Sequence, residues 1–182
     1  SAFTKTTTLP ASSTILMIRP AAFGFNKETA GDNFFQQNTG VSNETLQLNA
    51  LAEFDNMVHQ LRNHAINVLV IDDTKEPAKP DAIFPNNWLS TSSSGIVSVF
   101  PMYAPNRRNE KRDDILQQLA KEFVVKDVQD WSEYEAEGRF LEGTGSMVMD
   151  HDNKMIFAAV SERTNLSVLE KFAATNKYQA VV

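Results

Sequence analysis

Cysteine is absent from all 182 residues. That absence excludes disulfides and zinc–thiolate sites, and it excludes a catalytic thiol within these residues. Histidine is scarce, with three residues, and glycine and proline number seven each. Each of these residues therefore carries positional information. Basic residues are outnumbered 17 to 23 by acidic ones, a formal net charge of −6. A nucleic-acid binder relies on Lys and Arg for phosphate contacts, so no nucleic-acid partner is expected. The balance is compatible with a cationic ligand, although a modestly acidic surface is ordinarily a solubility feature. No apolar run approaches the roughly 20 residues of a membrane span. The start, SAFTKTTTLPASS, lacks the apolar core of a signal peptide. No membrane partner and a cytoplasmic location are expected. What is present, 42% hydrophobic and 22% charged residues, is the composition of a globular domain with a real core.

The hydrophobic pattern predicts three related units. In the first, Ile15–Ile18 is a short buried strand ended by Arg19-Pro20, and residues 21–42 form a long polar loop. Leu51, Phe54, Val58, Leu61 and Ala65 then recur at helical spacing, and a strand follows over Asn67–Ile71. His59 and His64 are five residues apart, off any shared helical face, and read as surface histidines rather than metal ligands. In the second unit, Ala82–Thr91 reads as an interrupted strand and Ile96–Phe100 as its hairpin partner. A helix is expected from Asn109 or Glu110, buried through Ile115, Leu116, Leu119 and Phe123, before a strand over Val124–Val128. In the third, Met147–Asp150 and Met155–Val160 form a hairpin. Thr164 is the expected N-cap of a helix striped by Leu166, Leu169, Phe172 and Ala173, and Tyr178–Val182 begins another strand. Asp150 and Asp152 read as turn chemistry, because the glycine and glutamate of a calcium loop are missing. Strands opening near residues 15, 83 and 147 suggest a repeat of roughly 65 residues, and repeated units must pack together to bury their helices. With its last residues in a strand, the chain is expected to be a fragment.

Two stretches break the strand pattern with polar groups. In Asp81–Trp88 (DAIFPNNW), Pro85 cannot donate to a sheet ladder, and Asn86-Asn87 interrupt the apolar run. In Leu141–Ser146 (LEGTGS), Glu142 stands beside two glycines that let a ligand approach the backbone. A carboxylate there suits a cationic group; a β-bulge and a tight turn are the bland alternative.

The ordered set MIRPAAFGFNKETAGDNFFQ, DAIFPNNW, FPMYAPNRRNEKR, LEGTGSMV and AAVSERT resembles the amidinotransferase/arginine-deiminase-like superfamily, most closely its citrulline-utilisation hydrolase type. The likeness runs from about Ile15 to Val182. It implies an α/β pentein, a propeller of repeated ββαβ modules, of which about three are present. Residues 1–182 would then be the N-terminal part of a single catalytic domain. It also implies a hydrolase or transferase in which a cysteine thiolate attacks the guanidinium or ureido carbon of arginine- or citrulline-like compounds. A histidine serves as general acid/base. Those two residues lie late in the family's chains, so their counterparts would belong to a C-terminal remainder of the same protein.

By the same resemblance, Glu142 matches the acidic residue that contacts substrate and histidine. Phe84 opens the segment in which many relatives carry a guanidinium-gripping aspartate, a position held here by Asn87. An amide offers one acceptor oxygen and no charge, which favours a neutral ureido or modified substrate over a strict arginine-deiminase reaction. Asp81 lies close enough in sequence to compensate. Arg19 either binds a carboxylate or caps its strand. Asp32 and Asn33 either line the substrate entrance or belong to a solvated loop. Arg107-Arg108 resembles the family's paired arginines, although such a run is ordinarily a solvated cluster. The chemistry requires no organic cofactor or metal, and a homo-oligomer is compatible with it. Two rival readings stay open: a non-catalytic pentein binding module, such as the ribosome anti-association factor, and a degenerate homologue.

Overall fold

The structure, a computed structural model, describes residues 14–31 and 40–182. Asp32 and Asn33 lie outside the described residues. Three small sheets follow one another along the chain. Strand β1 (Thr14–Arg19) is followed by helix α1 (Asn43–Asn63) and the parallel strand β2 (Asn67–Asp72). Next come β3 (Leu89–Thr91), β4 (Ile96–Val99), the single turn α2 (Pro105–Arg108), helix α3 (Asp113–Glu122) and β5 (Asp127–Asp130). The helical turn α4 (Gly143–Ser146) leads into β6 (Met147–Asp150), β7 (Met155–Ala158), α5 (Leu166–Thr175) and β8 (Gln179–Val181).

The second and third units share one topology. A hairpin is followed by a helix and a strand that pairs in parallel with the hairpin's second strand. This is the ββαβ module. In the first unit, β1 corresponds to the second strand of the other two, since it is the strand that pairs in parallel across the helix. The expected repeat near residues 15, 83 and 147 therefore mixes different strands; the two equivalent openings are β3 at Leu89 and β6 at Met147.

Local chemistry explains the boundaries. Ser42 caps α1 by accepting from the Thr45 N–H at 3.2 Å, so the helix starts well before Leu51. Ala65 falls beyond its end, at φ +59°. Pro85 begins a 3-10 turn over Pro85–Asn87, which shortens the expected Ala82–Thr91 strand to Leu89–Thr91. The second unit's helix begins at Asp113 rather than near Asn109, with both aspartates at its positive end. Phe123 leaves that helix in extended backbone and is exposed, as is Val124, so the following strand starts only at Asp127. Asn165, not Thr164, caps α5, accepting from the Ser167 and Val168 N–H groups, and Leu166 is exposed. The Asp150 carboxylate accepts from the Asp152 and Asn153 N–H groups, which is turn chemistry.

Apolar packing joins the units. Ile18 of β1 packs with Trp88, Leu89, Val97 and Val99 of the second unit, together with Ile115 and Leu119 of α3. Phe100 and Trp131 of the second unit pack with Leu141, Ile156, Leu169 and Phe172 of the third. Removing a fully buried aromatic such as Trp88 from such a core costs roughly 3–5 kcal/mol, so each seam contributes a large share of a domain's marginal stability. Both seams hold the segments that lead into β3 and β6.

Candidate functional site

The two polar motifs meet in space. The turn Pro85–Asn87 lies against α4: Asn86 Nδ2 donates to Thr144 Oγ1, and the Thr144 hydroxyl reaches the Asn86 carbonyl at 3.4 Å. Only glycine permits this approach. Gly143 adopts φ +35°, and a Cβ there would overlap the Asn86 carbonyl oxygen. A Cβ at Gly145 would stand 2.9 Å from Asn87 Nδ2 and 3.6 Å from Glu142 Oε2. The amide nitrogen and the carboxylate therefore face one spot above Gly145.

Glu142 is 1% exposed, and a buried carboxylate needs hydrogen-bond partners. Its Oε1 accepts from the Tyr103 N–H at 2.9 Å, and the Arg163 guanidinium stands 3.7 Å from Oε2. The Glu142 N–H donates to Ser146 Oγ at 2.8 Å, and that hydroxyl donates to the Arg163 carbonyl at 2.7 Å. Tyr103 is held in turn, because the Arg108 guanidinium donates to the Met102 and Tyr103 carbonyls.

Asn87 is held from the other side by Arg107, whose Nη1 donates to Asn87 Oδ1 at 3.0 Å. Arg107 is 4% exposed, which overturns the solvated-cluster reading of this arginine. Its Nε and Nη2 make a bidentate pair with Glu110 at 2.8 and 2.9 Å. Asp81 Oδ2 lies 3.8 Å from Arg107 Nε. Burial by itself would lower the Arg107 pKa, but the Glu110 hydrogen bonds and the charges of Glu110, Asp81 and Glu142 outweigh it and raise the value. Burial pushes the Glu110 carboxyl up to about 7 against the pull of the guanidinium, and Asp81 and Glu142 add to that push. Three carboxylates thus act on one guanidinium, while the Arg163 guanidinium balances Glu142 from the other side.

The other sequence-derived residues divide. Asp81 is buried and joins the cluster, accepting from Asn26 Nδ2 at 2.7 Å. Asn26 Oδ1 takes a hydrogen bond from Asn106 Nδ2, also at 2.7 Å, which ties the loop after β1 to α2. Phe84 keeps an exposed ring and contributes its carbonyl to Arg107 Nη2 at 3.4 Å. Arg19 binds a carboxylate within its own unit, Asp55 of α1, with two bonds of 2.8 Å. Both partners of that pair are substantially solvated. His59 and His64 bond to Asn63 and to the Gln60 carbonyl on α1. Among the described residues, no three His, Asp or Glu side chains gather as a metal set, and no helix is long and apolar enough to cross a membrane.

Sequence reasoning missed Arg107 and Glu110 as a buried pair, although their i,i+3 spacing in NRRNE was a usable signal. It also missed Lys79, which is 1% exposed and donates to the Thr74 and Pro77 carbonyls, fixing the connection just before Asp81. A cavity of about 350 Å³ opens between the second and third units, reaching from Asn86 and Thr144 to His151 and Tyr178; neither Glu142 nor Asn87 lines it.

Residues 19–182 match the family described as N,N dimethylarginine dimethylhydrolase, eukaryotic. The chain belongs to this family. It thereby falls within the pentein, amidinotransferase-like superfamily that its motifs resemble. No curated protein matches the chain. Among solved structures it resembles the N-terminal domain of ArgZ bound to substrate, an arginine dihydrolase from the ornithine–ammonia cycle in cyanobacteria. That likeness has 18% identity and a TM-score of 0.65, and it covers 92% of this chain and 56% of that one. A dimethylarginine dimethylaminohydrolase adduct with S-methyl-L-thiocitrulline gives 16% identity, a TM-score of 0.63 and coverage of 93% and 59%. The enzyme of this name from Pseudomonas aeruginosa, complexed with citrulline, gives 16%, 0.62, and again 93% and 59%. These likenesses establish the pentein fold, and the chain spans little more than half the length of those structures.

Proposed function

We propose that this chain is the N-terminal part of a pentein hydrolase domain that cleaves a C–N bond in the guanidino or ureido group of arginine- or citrulline-like compounds. One observation carries the reading: the Glu142 carboxylate and the Asn87 amide, from two separate motifs, face one spot above Gly145. A planar nitrogen-rich group is read by such a pair, because a carboxylate accepts from its N–H groups while an amide fixes its plane. Family membership over most of the chain, and relatives whose structures hold citrulline or S-methyl-L-thiocitrulline, support this substrate class.

In this reading the nucleophilic cysteine and the general acid/base histidine lie outside these residues. The thiolate sulfur bonds to the central carbon, and the C–N bond breaks as the leaving amine takes a proton from imidazolium. Water then hydrolyses the thioester-like or thiouronium adduct and returns the thiolate. Glu142 would grip substrate N–H groups and, by its charge, favour the imidazolium form.

The test is ammonia and amine release from citrulline, arginine and dimethylarginine by the full-length protein and its Glu142→Gln variant. The expected result is turnover on one of these substrates that falls at least about 100-fold in the variant, with thermal unfolding nearly unchanged. Equal activity in both would remove Glu142 from the mechanism. No turnover and no binding of any of the three would favour a non-catalytic pentein.

A further inference from the structure

Lys79 is 1% exposed, as deeply buried as Trp88, and it stands two residues before Asp81. A buried ammonium persists only when it is paired and hydrogen-bonded. Its three protons go to the Thr74 carbonyl at 2.9 Å, the Thr74 hydroxyl at 2.8 Å and the Pro77 carbonyl at 2.8 Å. Asp73, whose side chain is equally buried, brings Oδ1 to 3.2 Å from the same nitrogen. Four oxygens of residues 73–77 thus surround one cation. Carbonyl oxygens of this kind also replace the hydration shell of a free monovalent cation. Asp73 Oδ1 is shared with Arg112 Nη1 at 3.3 Å, while Oδ2 is buried with no hydrogen-bond partner among the described residues.

The connection has little else to shape it. Residues 74–78 are exposed, and Ala78 is the one apolar side chain besides proline in DTKEPAKP. Beyond Lys79 the chain continues in two close turns. The Lys79 carbonyl accepts from the Ala82 N–H at 3.2 Å, and the Asp81 carbonyl accepts from the Phe84 N–H at 3.0 Å. The Asp81 carboxylate then accepts from Asn26 Nδ2 at 2.7 Å and from the Thr29 hydroxyl at 3.4 Å. We propose that Lys79 is a positioning residue whose ammonium acts as a tethered cation, shaping the connection over residues 73–80 and thereby setting Asp81 in the candidate site. The consequence for function rests on the reading of Asp81 as part of that site; the cation cage does not.

Two variants of the full-length protein separate a tethered cation from an ordinary buried side chain. Lys79→Ala opens room for a free cation, whereas Lys79→Met fills the same room with an apolar chain. Both are expected to lower the thermal midpoint by about 5 °C or more in lithium or tetramethylammonium chloride. Potassium or ammonium chloride at equal ionic strength is expected to restore about half of that loss or more in Lys79→Ala, and none in Lys79→Met. Equal midpoints in all four salts, or equal recovery in both variants, would overturn the tethered cation. Positioning is read separately from the side-chain N–H₂ of Asn26, which is 1% exposed and should exchange slowly in the ¹⁵N-labelled protein. In Lys79→Ala that protection is expected to fall about tenfold in lithium chloride and to return in potassium chloride. Unchanged protection alongside lost stability would overturn the hold on Asp81. If Lys79→Ala does not fold, Asn26 protection in Lys79→Met and the Lys79 ammonium signal of the unmutated protein decide. That signal is expected to persist at neutral pH with nuclear Overhauser contacts to Thr74 and Pro77, and its absence overturns the proposal. None of these measurements uses a substrate, so they succeed or fail independently of the proposed activity.

Discussion

The turn Pro85–Asn87 and the turn Gly143–Ser146 occupy the same place in successive modules, each directly before the module's opening strand. Their chemistry differs at every level. The first starts with proline, which presets its φ, and it carries an amide held by a buried arginine. The second is built on glycines and carries a carboxylate held by a backbone N–H and the neighbouring Arg163. The glycines of the second turn exist for the first: Gly143 makes room for the Asn86 carbonyl and Gly145 for the Asn87 amide. A repeated fold thus supplies two equivalent turns, and unlike side chains convert that symmetry into an asymmetric pairing of an amide with a carboxylate.

Breaking the comparison at the carboxylate has the largest expected effect. Glu142→Gln leaves the shape and the Tyr103 contact but removes the charge, and a loss of about 100-fold or more in turnover is expected in the assay described above. Next comes the contact between the turns. Gly143→Ala forces a Cβ into the Asn86 carbonyl at positive φ, and it should cost about 2–4 kcal/mol in urea unfolding. An unchanged midpoint would show that the turns do not touch.

The amide side is sharpened by pH. Glu110 has its pKa raised from 4.5 to about 7, so the folded chain binds a proton there that the unfolded chain has released. The associated stability is fully present below about pH 4.5 and is lost as pH rises through about 7. Between pH 5 and 8, Glu110→Gln should flatten that decline by on the order of 2 kcal/mol. Asp114 and Asp150 are lowered from 3.8, mainly by hydrogen bonds from Arg112 and from the Asn153 N–H. Their contributions are present above about pH 3.8 and fade as pH falls below it, outside the Glu110 window. Smallest of all is Arg19→Met: its ion pair with Asp55 is solvated, and less than about 1 kcal/mol is expected in thermal unfolding. A larger loss would indicate that Arg19 has a partner beyond α1.

Much of the fold was legible in local patterns. The hairpin from Met147 to Ala158 has two short apolar runs and an Asp150–Lys154 turn between them, and both are decided by neighbours in sequence. The stripe of Leu169, Phe172 and Ala173 likewise announced α5. The misread boundaries have local causes that pattern-reading underweighted. Pro85 begins a turn instead of interrupting a strand, and Phe123 leaves its helix despite correct spacing. Hydrophobic periodicity ranks faces, and it does not place ends.

For the candidate site, residue types and motif order point to Glu142, Asn87, Asp81 and Phe84, because glycine, proline and polar interruptions in apolar runs are written in the chain itself. The partners of those residues were not. That Arg19 turns to Asp55 while Arg107 is buried against Glu110, Asp81 and Asn87 depends on which modules pack together. So does the choice of amide face at Asn87. Sequence alone determined the chemical groups and the modules that carry them. The tertiary structure decided their pairing and orientation, because electrostatic and hydrogen-bond energies fall off over a few ångströms that only the packed chain specifies.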